Sequence, residues 1–551
     1  MAIRRYVADA DNTITNAYEN NLTTRATGSN TGQADVLEVY SVYGRATTSS
    51  AELSRVLMKF PVSTIDSDRT AGTIPASGSV DFYLRVFNAE TSKTVPKDMN
   101  VMIHAVSQSW QEGDGLDLEN YSDETLTNEG SNWMSASNTQ PWKDINNTLL
   151  VGGSYHTQSI NNADVNTEVF IFNQNLTTGL EDLEINITPL VEQWIAGTYQ
   201  NYGVGISLTA SQEAFVSGAY DTVVSRTPRL PDPADPDRVE IYNPSGSTES
   251  YYTKRFFARG TQYFFKKPVI EARWNSSTQD DRGDFYYSSS LAPGPENLNT
   301  LYLFNYVRGH LRNIPEIGTT GSIMVSLFSG SANDSAPSGS RLELGLGGGV
   351  SVAGQTFATG GYVSTGIYSC SLAVTAAATP LKTLYDVWST GSIVDGDHYK
   401  TRFFTGSIKP EELSAASYSQ GNTRYVTKIK NLRAKYFSEE EARFNVYVRN
   451  KNWSPTIYTV ASSEIENTII QSASYRVYRV LDGYNAIPHG TGSSLQTLLS
   501  YDVSGNYFNL DMSLLEPGYE YGIKLAFYDS QRQSWIEQDQ KFLFRVEDYE
   551  Y

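Results

Sequence analysis

Strict alternation of apolar and polar residues dominates this chain, a period of two that only extended backbone converts into one buried and one solvated face. Val80, Phe82, Leu84 and Val86 point one way while Asp81, Tyr83, Arg85 and Phe87 point the other. Leu183, Ile185 and Ile187 repeat the pattern against Glu184, Asn186 and Thr188, and Val204, Ile206 and Leu208 do so again. Further strands are predicted at 36–43, 55–60, 101–106, 167–172, 262–274, 301–307, 323–328, 341–346, 367–374, 401–405, 443–449, 475–480, 520–528 and 541–547. Clusters of Gly, Ser, Asn, Asp and Pro separate them at the spacing of β-sandwiches. Helices are expected to be few and short. One is predicted over Thr188–Trp194, with Pro189 in its first turn and Leu190 and Trp194 on one face, and another over Lys409–Leu413.

At about 100 to 200 residues per domain, a length of 551 implies about three domains. Polar stretches at Asn275–Asp284 and Ser414–Arg424 divide the chain into 1–277, 278–424 and 425–551. The Pro-rich segment Thr227–Asp237 reads as part of an insertion, about 220–250, inside the first domain. The expected fold class is all-β, as tandem β-sandwiches. Composition narrows the function. With 42 Lys and Arg against 61 Asp and Glu the net charge is −19, which leaves nothing in bulk to replace the counterions of a nucleic acid. A hydrophobic content of 39% argues against disorder, and 37 tyrosines suit half-buried strands and wet contact surfaces. Cys370 is the single cysteine, so neither an intrachain disulfide nor a thiolate metal cluster can form. Met1–Asp11 lacks an apolar stretch of signal length, and no run of about 18 apolar residues occurs, so neither a signal peptide nor a membrane span is expected. The sequons, among them Asn21 and Asn146, are read as chance products of an Asn-, Ser- and Thr-rich chain.

Catalytic patterns are sparse. His104, His156, His310, His398 and His489 form no HExxH or HxH arrangement, and the Gly-rich run Gly345–Gly349 lacks the Lys-Ser/Thr of a phosphate loop. No enzyme is expected, although carboxylate pairs able to hydrolyse polysaccharide are not readable from sequence. The oxygen-rich cluster Asp9, Asp11 and Asn12 is the candidate calcium site, the one cofactor considered, since calcium accepts carboxylate and amide oxygens at loop ends. Asp114, Asp117 and Glu119, and Asp280, Asp281 and Asp284, are two more acidic clusters, with solvated loops as the alternative reading. Tyr121, Trp133 and Trp142 lie in loop-like stretches and are candidates for stacking on glycan rings, while Trp110 and Trp194 fit a core.

The first half resembles a known family. Asp9-Ala10-Asp11-Asn12, Asn30-Thr31-Gly32, the strand from Val36, and Arg55-Val56-Leu57-Met58-Lys59-Phe60 follow the order of the DNRLRE-type jelly-roll domains. Trp110-Gln111-Glu112, Asn132-Trp133, Thr188–Trp194 and Asn201-Tyr202-Gly203 extend the likeness, with Thr253-Lys254-Arg255 and Pro268-Val269-Ile270 nearest to the terminal strands. The family's eponymous tail motif is not literally present. The resemblance implies an N-terminal jelly roll followed by Ig-like modules, the last containing Leu515-Glu516-Pro517-Gly518-Tyr519-Glu520-Tyr521. In style the chain also resembles virion structural proteins of marine T4-like tailed phages. That implies a non-enzymatic protein of the neck, tail, baseplate or capsid surface, assembled in the host cytoplasm and partnered by other virion proteins and copies of itself. A carbohydrate-binding adhesin with cell-surface glycan as its partner is the alternative. Neither nucleic acid nor membrane is expected as a partner.

Overall fold

The computed structural model describes residues 2–549 except 20–24, 45–49, 93–94, 117–129, 138–139, 145–146, 148–149, 157–169, 217–240, 242, 290–291, 331–336, 338, 348–349, 352–354, 376–380, 391–400, 412–423, 455–456 and 458–466. The fold is all-β, of packed and almost entirely antiparallel sheets. Two compact units divide it: Ala2–Asn275 with Ser494–Gln496, and Ser276–Ser493 with Thr497–Tyr551.

The first unit contains β1 (Ile3–Val7), β2 (Ala10–Thr15), β3 (Val36–Gly44), β4 (Ser50–Lys59), β5 (Asp81–Val86), β6 (Met99–Ala105), β7 (Ser135–Ser137), β8 (Gln140–Pro141), β9 (Ile171–Leu176), β10 (Leu183–Asn186), β11 (Val204–Leu208), β12 (Tyr251–Phe257) and β13 (Val269–Arg273). One sheet has the order β1-β13-β5-β10, the other β12-β3-β4-β11-β6-β9. The long β4 shares one edge between two partners, giving Ala51 and Leu53 to β3 and Ser54 to Lys59 to β2. Alternation decides which side chains meet. Phe82, Leu84 and Val86 of β5 face Val56 and Met58 of β4, Val101 and Ile103 of β6, and Ile206, Phe256 and Ile270 in a core between the sheets. Each such side chain contributes about 1.5–3 kcal/mol on burial.

Two helices, α1 (Val62–Thr70) and α2 (Thr188–Ile195), pack on each other beside that core. Leu190, Val191 and Trp194 are the buried face of α2, and the Thr188 hydroxyl accepts from Phe82 N–H at 2.8 Å. The helix predicted at Thr188–Trp194 is therefore present, whereas α1 was not anticipated. Only Val62 and Ile65 of α1 are buried, and its remaining residues are polar. Lys409–Glu411 is not helical, and 412–413 lie outside the described residues. The strand expected over 262–274 is broken into a 3-10 turn at Phe264–Lys266 and β13, because Pro268 has no N–H for a ladder.

The centre of the second sheet is covered on its far side as well. Leu53 and Leu57 of β4, in the opposite phase to Val56 and Met58, join Ile14, Val106, Trp110, Trp133, Met134, Trp142 and Tyr155 in a separate core. Val106, Trp110, Trp133, Met134, Trp142 and Tyr155, all between β6 and β9, thus form a covering layer, and β4 is buried on both faces.

In the second unit, Ile323–Gly330 pairs with Thr383–Thr390, which pairs in turn with Arg402–Ile408, while Asn299–Phe304 pairs with Ile367–Ala373. Their core contains Phe285, Leu301, Val325, Tyr368, Cys370 and Trp388. Cys370 is a free, buried thiol. Beyond Arg424, Tyr425–Ile429, Glu441–Asn450, Gly505–Asp511 and Ser500–Asp502 form one sheet. Lys435–Phe437, Phe542–Glu547, Glu520–Asp529, Ala473–Arg479 and Asn485–Ile487 form another, with Lys435–Phe437 in parallel pairing. Aromatic rings fill the space between, with Phe444 and Tyr475 stacked on Phe508 at 5.1 and 4.1 Å. The hydroxyl of Tyr521 donates to Glu516 C=O at 2.7 Å, the tyrosine corner of Ig-like sandwiches. Tyr521→Phe leaves that carbonyl without its donor, so the variant is expected to lose about 1–3 kcal/mol. Chemical denaturation checks this, and an unchanged midpoint would show that the corner contributes nothing.

Candidate functional site

Asp9, Asp11 and Asn12 are engaged separately. Asp9 is exposed, whereas Asp11 and Asn12 are fully buried at the start of β2. Asp11 Oδ2 accepts from Arg259 N–H at 2.6 Å, and Asp11 N–H donates to Glu112 Oε1 at 2.8 Å. The Arg259 guanidinium grips both oxygens of Glu112, at 2.5 and 2.6 Å. Asn12 Nδ2 donates to the carbonyl and hydroxyl of Ser131, both at 2.9 Å, while its Oδ1 accepts from Thr31 N–H. The fold thus sets Asp11 against the Arg259 main chain and Glu112, whose carboxylate holds the Arg259 guanidinium. Among the described residues, no three His, Cys, Asp or Glu side chains are placed to hold a metal ion.

The other acidic clusters behave similarly. Asp117 and Glu119 lie outside the described residues. Asp280 and the fully buried Asp386 both bind Arg282, at 2.6 and 2.7 Å, and Trp388 Nε1–H donates to Asp386 at 2.6 Å. Asp281 accepts from Tyr501 O–H and Thr300 N–H, and Asp284 from Gln471. Burial pushes the Asp280 carboxyl up to about 6 against the pull of Arg282.

Tyr121 lies outside the described residues, and the two tryptophans proposed to stack on sugars are corrected by their burial. Trp133 and Trp142 are fully enclosed in the covering layer, so neither offers a ring face to a ligand. Trp142 Nε1–H donates to Asn132 C=O at 2.8 Å. Gly152 lies over the Trp133 ring at a φ of 71°, and a Cβ there would approach the ring within 2.8 Å. Trp110 and Trp194 are core residues. Tyr263 and Phe264, 54% and 41% exposed, are neighbouring aromatics that do face solvent.

A polar constellation around Arg55 was not anticipated. Arg55, on the covered face of β4, donates to both oxygens of Glu213 at 3.2 and 3.3 Å and to Gly152 C=O at 2.9 Å. Its guanidinium lies 5.6 and 5.7 Å from the ring centres of Trp133 and Tyr155. His104 lies beside Tyr155 and meets the Ser207 hydroxyl at 3.3 Å. Burial, and then the charge of Arg55, push the His104 imidazole down to about 4, so it is neutral at physiological pH. Burial pushes the Tyr155 phenol up to about 12. A neutral imidazole and an undissociated phenol thus stand beside the paired arginine.

A second centre lies on the first sheet. Although burial opposes it, Arg5, Arg85 and Arg273 hold the Glu271 carboxyl well below the ordinary carboxylate range, with contacts of 2.7, 3.1 and 2.7 Å. A third is Lys254, whose buried ammonium meets Asn88 Oδ1 at 2.5 Å. Partners 158, 266 and 166 residues apart explain why periodicity alone signals none of these centres.

No protein-family model matches the chain, and no curated protein is a significant match to it.

The buried carboxyl of Asp11 yields a signed prediction. Burial pushes it from 3.8 up to about 7, against the backbone hydrogen bond from Arg259. Between those values the folded chain holds a proton that the unfolded chain releases, so this group reduces stability as pH rises and its full penalty applies above 7. Asp11→Asn is expected to raise the melting temperature at pH 8, by an amount worth a few kcal/mol at most, and to gain nothing near pH 4. Equal melting curves for variant and parent at pH 8 would contradict it.

Proposed function

We propose that the chain is a non-enzymatic structural protein of a tailed-phage virion, decorating or linking the neck, tail, baseplate or capsid surface in several copies. The observation that carries this reading is how the fold uses its buried charge. Arg55 with Glu213, Glu271 with three arginines, and Arg282 with Asp280 and Asp386 all join strands or layers. Such pairs favour one rigid arrangement over close alternatives, which a part built into a larger assembly requires. Sandwich sheets end in edge strands, and an edge can accept a strand from a neighbour. Stability without a disulfide suits assembly in a reducing cytoplasm. The phage context rests on the resemblance in sequence style.

A glycan-binding adhesin is the second reading. The adjacent exposed rings of Tyr263 and Phe264 favour it, since exposed aromatic faces stack on sugars. Mass spectrometry of purified particles tests the first reading, which expects peptides of this chain in the virion; particles free of it would refute that reading. A glycan array separates the second: binding abolished by Tyr263→Ala with Phe264→Ala supports an adhesin, and a silent array supports the scaffold.

A further inference from the structure

Lys254 is the one lysine among the fully buried large side chains of the described residues. It belongs to β12, at the edge of the second sheet, and its Nζ lies 5.0 Å from the centre of the buried Phe256 ring. Nζ donates to Asn88 Oδ1 at 2.5 Å, Glu181 C=O at 2.8 Å and Gly179 C=O at 2.9 Å. Asn88 follows β5 of the first sheet, and its backbone pairs with Phe256 of β12. Main-chain bonds fix the contact from both sides: Ala89 N–H donates to Arg255 C=O at 3.0 Å, and Phe257 N–H to Phe87 C=O at 2.9 Å. Asp182 accepts from Asn88 N–H at 2.7 Å, and its charge, with that of Glu181, acts on Lys254.

We propose that Lys254 and Asn88 join in an intramolecular isopeptide bond that ties the edge of the second sheet to the segment leaving the first. Three conditions for such a reaction meet here. Amine and carboxamide are held in contact, which replaces a bimolecular encounter with a positioned one. The amine is dehydrated: burial pushes it down to about 8, while Asp182 and Glu181 pull the other way, so an appreciable neutral fraction exists near that pH. The carboxylate of Asp182, which accepts from Asn88 N–H at 2.7 Å, stands beside the pair to carry protons.

The lone pair of neutral Nζ attacks Asn88 Cγ, and the carbonyl π electrons move to Oδ1. As the carbonyl reforms, the Cγ–Nδ2 bond breaks, and Nδ2 leaves as ammonia with the proton that Nζ gives up, carried by the carboxylate of Asp182. One amine and one carboxamide become one secondary amide and one ammonia, with no oxidant or reductant. In a chain whose single cysteine cannot form an intrachain disulfide, this bond would be a covalent staple between sheets.

Intact-mass spectrometry of the purified full chain tests the proposal. The expected mass lies about 17 Da below the sequence value, the loss of one ammonia. Proteolysis should yield a branched peptide carrying both Lys254 and Asn88, with no tryptic cut after Lys254. Lys254→Arg and Asn88→Ala should each return to their full sequence mass. Two results would overturn the proposal: an unmodified mass with no branched peptide, which leaves Lys254 a hydrogen-bonded ammonium, or a deficit that survives Lys254→Arg, which marks a succinimide. The branched peptide is sought in the unsubstituted protein, so the test stands even where a variant fails to fold.

Discussion

Burial of the central strands of the second sheet, β4 and β11, on both faces is the constraint from which the first unit follows. A strand turns alternate side chains to opposite sides, so covering both sides removes both sets from water. On β4, Val56 and Met58 enter the core between the sheets while Arg55 and Leu57 enter the covering layer. An arginine placed there must be neutralised where it stands, and Glu213 and the carbonyl of Gly152 do so. The enclosed rings of Trp133 and Tyr155 flank the same guanidinium.

The same rule governs the other charges. Glu271 is stable as a carboxylate because three guanidiniums replace its lost hydration. Asp386 binds Arg282 and the Trp388 indole, and Asp11 lies beside the Arg259–Glu112 pair. These networks join strands distant in sequence, so loss of one partner strands a charge inside the fold. Such networks favour one arrangement of the strands they join over close alternatives.

Much of this architecture was legible in the sequence, and the misses have physical causes. The strands at Asp81–Val86, Leu183–Asn186 and Val204–Leu208 could be read because the facing core enforces their alternation. Ala358–Ser364 could not, since its glycines and largely exposed residues leave no apolar phase. Trp133 and Trp142 sit among Ser, Asn and Thr, which reads as exposed loop; only the tertiary layer places them inside. Asp11 and Asn12 were recognised as special, but their partners Arg259, Glu112 and Ser131 are more than a hundred residues away. Lys254 stood in an aromatic strand-like run whose periodicity gives no sign of Asn88, 166 residues away, against which β12 places it.

The central claim is that the far side of β4 is a covered interface clamped by Arg55 and Glu213. Equilibrium denaturation of Arg55→Met and of Arg55→Met with Glu213→Leu measures it directly. The single variant leaves Glu213 buried without its cation and is predicted to lose about 3–5 kcal/mol, most of which the double variant regains. A single variant within about 1 kcal/mol of the parent, the worth of a solvated surface pair, would contradict the account.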